Sequence, residues 1–177
     1  ATAAMANYLA LDRPGLAFPA KELCRRMGTP RCADMHALRR LCRYLAGKPR
    51  LVYYFPWQEP GLPLRMHCDT DFAGCVQTRR STSGGCASRG GHLIKHWSVT
   101  QKAITLSSGE AELGGVVKGA AESLGLRSLA RDLGLDFGIE LHADSAAAIG
   151  ICGRTGIGRG RGLAVGQLWA QERLRAG

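Results

Sequence analysis

Three carboxylates of this 177-residue chain stand where expected elements meet rather than on solvated faces. Asp69 ends a strand, Glu112 lies in the first turn of a long helix, and Asp144 ends a later strand. Strand-end acids on neighbouring strands, with one more from a helix packed beside them, converge within a few ångströms. Clustered carboxylates repel one another unless cations neutralise them, and hard Mg²⁺ with its oxygen ligands is the natural counterion. Two such ions about 4 Å apart activate a water and stabilise the leaving oxygen in phosphodiester cleavage. The competing reading gives each acid a local duty, the aspartates as caps and the glutamate as a complement to the helix dipole. On spacing alone both readings stand. Asp71 and Glu110 are near neighbours of the set. Asp71 can share the strand face of Asp69, whereas Glu110 and Glu112 point about 200° apart on a helix, so only one faces the site. The face of Val116 and Leu124 places Glu112 nearer the buried side.

The elements that must position these acids follow from periodicity. A helix is expected over 15–27, kinked or delayed by Pro19, and a clearer one over 34–46 with Asp34 as N-cap, Leu38, Leu41, Cys42 and Leu45 as its apolar face and Gly47 at C′. Pro56, Pro60 and Pro63 mark a linker. The period then changes to that of strands: Leu64 onward, 84–89 and 92–100 around the Gly90-Gly91 turn, with 103–106 as an extension of the last. A helix from Ser107-Ser108 runs to about 125 and on through Leu133, with Gly134 closing it. A strand over 139–143, a short Ala-rich helix to Cys152, a Gly/Arg stretch and a helix around 167–174 complete a mixed α/β sheet domain. The boundary falls near the linker: residues 1–58 helical, residues 59–177 the sheet domain.

Charge divides the chain differently. The formal net charge is +10, with Arg supplying 19 of the 24 basic residues. Residues 1–60 carry ten basic and four acidic side chains, residues 61–153 nine of each, and residues 154–177 five Arg against Glu172. Basic flanks around a neutral, acid-bearing middle favour a polyanionic partner, nucleic acid above all. Candidate phosphate contacts are Arg39, Arg40 and Arg43 on the polar face of the second helix, Arg79 and Arg80 in the turn after the first strand, and Arg159 and Arg161 in the Gly/Arg stretch. Seven cysteines without scaffold-like spacing are expected as reduced thiols of an intracellular protein, in a cytoplasmic particle or the nucleus and not secreted. No apolar run is long enough to suggest a membrane span, and the opening directly in a periodic pattern, without Met, suggests a piece of a longer polypeptide.

Several motifs in register carry a resemblance. Cys68-Asp69-Thr70-Asp71-Phe72-Ala73-Gly74, Arg79-Arg80-Ser81-Thr82-Ser83-Gly84, Trp97-Ser98, Leu106-Ser107-Ser108-Gly109-Glu110-Ala111-Glu112-Leu113 and Ala143-Asp144-Ser145 through Ile149 resemble, in order and spacing, the ribonuclease H domain of copia-type retrotransposon Pol polyproteins. The stretch from Tyr8 to Leu45 is similar to the segment that follows the reverse transcriptase palm in the same polyproteins. The resemblance implies a ribonuclease H-like fold behind a short helical remnant, with Asp69, Glu112 and Asp144 as catalytic, metal-binding acids. It implies two Mg²⁺ ions, or Mn²⁺, and endonucleolytic hydrolysis of the RNA strand of RNA–DNA hybrids. The reverse transcriptase palm of the parent polyprotein is an implied partner, with no membrane and no small-molecule cofactor. The sequence departs from the family at the fourth acid, where Ala164 stands for the expected Asp and Gly162 for the expected His. The alternative that follows is a catalytically inactive nucleic-acid-binding remnant of the same fold.

Other combinations carry less. His92 and His96 with Cys75 and Cys86 fit no compact zinc knuckle, and as strand residues four apart the two histidines share one face. Cys32 and His36 read as structural or surface residues, the glycines at 156–162 do not form a dinucleotide fingerprint, and Ser107-Ser108 lacks the context of a nucleophile elbow.

Overall fold

Residues 1–14 open with an unexpected helix, α1 (Thr2–Leu9), before a 3-10 turn (Pro14–Leu16) and α2 (Ala17–Cys24). The computed structural model describes residues 1–153 together with Trp169 and Glu172; Arg159, Arg161, Gly162 and Ala164 lie outside the described residues, as does most of the helix expected over 167–174. Pro19 neither kinks nor interrupts α2. It occupies the first turn, where an N–H has no intrahelical acceptor to lose. The next helix, α3 (Cys32–Gly47), starts two residues earlier than expected because Asp34 acts from inside it, accepting the Arg31 N–H at 2.8 Å. Leu41 is its one buried residue, with Leu38 and Leu45 half-buried, while Cys42 is exposed rather than part of the apolar face. These helices share a small core of Ala6, Ala10, Leu16, Ala20, Leu23 and Leu41.

Beyond the linker four strands form one mixed sheet in the order β3-β2-β1-β4: β1 (Leu64–Asp71), β2 (Thr82–Arg89), β3 (His92–Thr100) and β4 (Ile139–Ala143). β1 pairs antiparallel with β2 and parallel with β4. Strict alternation makes β1 two-faced: Leu64, Met66, Cys68 and Thr70 are buried, while Arg65, His67, Asp69 and Asp71 are exposed. Residues 103–106 do not extend β3, which ends at Thr100.

The crossover from β3 to β4 is a single 25-residue helix, α4 (Ser108–Asp132), closed by Gly134 at φ 77°. It packs on the buried face of β1 with unusual closeness. A Cβ at Gly115 would collide with Thr70 Oγ1, and one at Gly119 with Cys68 Sγ. Two glycines four apart thus let the helix backbone lie directly on the strand. A last short helix, α5 (Ala146–Cys152), begins at the Ser145 cap and adds Ala148 and Cys152 to a cluster with Leu113 and Val116. The mixed sheet with flanking helices is the architecture expected of a ribonuclease H-like fold. On the side away from α4, α2 reaches the sheet through a Lys21–Thr82 hydrogen bond of 3.0 Å, and His96 Nε2 donates to the Leu11 carbonyl at 3.1 Å.

Candidate metal centre

The parallel register of β1 and β4 lays out matched side chains across their exposed face. Arg65 faces Glu140, with Nε to Oε2 at 3.0 Å, and His67 faces His142, their rings stacked at 4.8 Å and 19°. The next position of the same parity holds Asp69 on β1, with Asp144 directly after β4. Glu112, at the start of the second turn of α4, completes the group: one carboxylate oxygen from each of Asp69, Glu112 and Asp144 lies within 4.8 Å of the others.

The electrostatics follow from that crowding. Glu112 is half-buried, and its burial together with the charges of Asp69 and Asp144 pushes its carboxyl above the usual carboxylate range. Among the described residues no Lys, Arg or His forms an ion pair with any of the three. Asp69 Oδ1 accepts the adjacent Thr70 N–H at 2.7 Å, which fixes its carboxylate at the strand. Three oxygen donors facing one another without a protein cation fit a hard divalent ion, which prefers carboxylate oxygen over nitrogen or sulfur.

The near neighbours are occupied elsewhere. Glu110 Oε2 accepts the Leu106 N–H at 2.7 Å while its own N–H donates to Ser107 Oγ at 3.2 Å, so Glu110 caps α4. The Asp71 carboxylate folds over the backbone of Gly74 in the loop that follows β1. Glu110 is thus taken up by a local cap and Asp71 by the loop backbone beside it.

Two positioning residues lie outside the motif acids. Ser81 is fully buried: its Oγ accepts the Ala73 N–H at 3.1 Å and meets Thr105 Oγ1 at 3.2 Å, and its carbonyl accepts the Gln101 N–H at 2.8 Å. It therefore joins the loop after β1 to the loop before α4. Gln101 Nε2 donates to Ser83 Oγ at 2.9 Å and to the Ala111 carbonyl at 2.8 Å, holding the start of α4 against β2. Nothing in their residue types announces this, although Ser81 stands inside the Arg-Arg-Ser-Thr-Ser motif.

The basic candidates separate into two places. Arg79 and Arg80 are exposed on the loop between β1 and β2, with Arg79 at φ 54° in a turn closed by its N–H to the Cys75 carbonyl at 2.7 Å. Arg39, Arg40 and Arg43 are exposed on α3, in the helical region rather than on the acid-bearing sheet. The zinc alternative dissolves for a topological reason. A register shift between Ala87 and Ser88 pairs His92 with Arg89 and His96 with Cys86, positions of opposite parity, so the two histidines do not share a face. Both serve as backbone anchors, His92 Nε2 donating to the Pro56 carbonyl at 2.8 Å.

No family model matches the chain. It is 36% identical over 116 residues to an uncharacterized mitochondrial protein of Arabidopsis thaliana, an alignment that covers 66% of this chain and 48% of that protein. It is 32% identical over 148 residues to the retrovirus-related Pol polyprotein from transposon RE2 of the same plant, covering 82% of this chain and 10% of the polyprotein. For the Pol polyprotein from transposon RE1 the identity is 33% over 129 residues, covering 73% and 9%. The chain thus spans about half of the first relative and about a tenth of each polyprotein. Alignments of 148 and 129 residues make the chain similar to one segment of the retrovirus-related Pol polyproteins from transposons.

Proposed function

We propose that this chain is a metal-dependent endonuclease of the ribonuclease H type, which hydrolyses the RNA strand of RNA–DNA hybrids as part of a transposon Pol polyprotein. The observation that carries the reading is the convergence of Asp69, Glu112 and Asp144 within 4.8 Å without a neutralising side chain among the described residues. The three carboxylates would hold Mg²⁺, or Mn²⁺, as two ions. When bound, the ions supply a water activated near neutral pH and charge stabilisation at the leaving 3′ oxygen. Asp69 and Asp144 anchor the site to the sheet, and Glu112 closes it from the helix. Arg79 and Arg80 would hold phosphates on the loop that leaves β1. Hybrid recognition would rest on phosphates and RNA 2′-hydroxyls, since a duplex of RNA-like shape exposes its minor groove. The parent polyprotein's polymerase part would lie against the N-terminal helices, where Met5, Tyr8 and Leu11 are 70–76% exposed. Seven cysteines kept as thiols would suit an intracellular particle or nucleus.

The test incubates a labelled hybrid with the protein and Mg²⁺, with chelator, and with Asp69→Asn. Cleavage that needs Mg²⁺ and disappears in the variant is expected; cleavage that survives Asp69→Asn sinks the proposal. A second reading, an inactive remnant that binds hybrid without cutting it, is favoured by Ala164 in place of the family's fourth acid. Its signature is salt-sensitive hybrid binding with no product. Under the first reading Ala164→Asp raises cleavage.

A further inference from the structure

The segment between α3 and β1 has no regular structure, yet it is tied down at both ends. Buried Arg13 donates to the Lys48 carbonyl at 2.7 Å and to the Pro49 carbonyl at 3.5 Å. At the far end Gln58 Nε2 donates to the Arg89 carbonyl at 2.8 Å, Gln58 Oε1 accepts the Gly91 N–H at 3.1 Å, and His92 holds Pro56. A strap fixed so firmly would normally turn its apolar side chains inward. Here Val52, Tyr54 and Trp57 are 81–82% exposed. Tyr53 and Phe55 stack at 6.0 Å, and Phe55 meets the His92 ring edge-on at 5.1 Å, so the row of rings is braced as well as exposed.

The charge around the strap decides what such rings are for. From residue 35 to residue 58 the chain holds Arg39, Arg40, Arg43, Lys48 and Arg50 and no acid. All five are exposed. The acids beside the strap are Asp12, near Tyr53, and Glu59 at its end. Exposed rings in a stretch of chain whose charges are all basic are the two components of single-strand binding: bases stack on aromatics and phosphates follow the positive side chains.

We propose that this strap is a stacking platform for single-stranded nucleic acid, with Tyr54 and Trp57 taking unpaired bases and Lys48 and Arg50 the phosphates. The site needs no metal, lies outside the three-acid cluster, and does not depend on the nuclease reading.

The test titrates the full chain, in chelator, into a fluorescently labelled 12-nucleotide oligothymidylate and reads anisotropy. Binding that weakens as salt rises is expected, with Tyr54→Ala plus Trp57→Ala weakening it about tenfold or more. Tyr54→Phe plus Trp57→Phe should retain it, and the melting temperature should be unchanged in both. Absence of binding by the unaltered chain overturns the proposal, as does equal binding by the alanine variant. A loss of self-association in the alanine variant at unchanged oligonucleotide affinity also overturns it, because the rings would then serve a protein contact.

Discussion

The two regions of this molecule bury themselves by different means. The sheet region is held by a four-stranded ladder and by a helix laid against β1 so closely that two positions admit only glycine. The helical region is only thinly covered: its core is three alanines and three leucines, while Met5, Tyr8, Leu11, Tyr54 and Trp57 remain exposed. Between the regions stand a few polar contacts such as Lys21–Thr82 and His96–Leu11. The difference teaches where precision is concentrated. Acids that must meet within a few ångströms are carried by the tightly determined region, and broad basic and aromatic surface is carried by the loosely covered one.

Breaking the close approach should have the largest effect. Gly119→Val drives a side chain into Cys68, and we expect a loss of about 3 kcal/mol in thermal unfolding followed by circular dichroism, with cation response lost as well. An unchanged melt would mean that α4 is free to move off β1. Ser81→Val removes the shared partner of Ala73 and Thr105 and should cost about 2 kcal/mol in the same measurement.

The acid cluster sharpens the contrast through pH and cation. Glu112 has its carboxyl pushed up in the folded state. A raised acid contributes stability that is fully present below its unfolded value and is lost as pH rises through the folded one. Without divalent cation the melting temperature of the unaltered protein should therefore gain more on acidification through the carboxylate range than that of Asp69→Asn. At pH 7, Mg²⁺ at ten times its dissociation constant should add about 1.4 kcal/mol to the unaltered protein and nothing to the variant. Equal responses of the two would dissolve the cluster as a cation site. The smallest effect belongs to the seam: Lys21→Met should cost less than about 1 kcal/mol, and a larger loss would show the helical region to be integral to the sheet.

What could be read in the sequence follows the same division. The strand beginning at Leu64 and the Gly90-Gly91 hairpin are legible because strand patterning and turn chemistry are local properties, although β1 runs on past Asp69 to Asp71. The choice of Glu112 over Glu110 also has a local cause, the cap that occupies Glu110. The register shift at Ala87 was not legible: it inserts one residue without a composition signal and reverses the parity of His92 against His96. Nor was the role of Gly115 and Gly119, since glycine in a helix argues against the helix until the strand beneath it is known. Asp34 looked like a cap from outside the helix and proved to cap it from within. Ser81 is a short hydroxyl side chain whose importance lies entirely in what the fold brings to it.

The parallel pairing of β1 with β4 has a consequence for the order in which the chain folds. The β2–β3 hairpin closes across two residues, whereas Arg65 and Glu140 meet across 75. Long closures cost more chain entropy and form later. The hairpin and its join to β1 can therefore assemble while Asp144 is still distant, and the three acids are brought into mutual repulsion only when the last strand docks. Hydrogen exchange should find the β4 amides protected last during refolding.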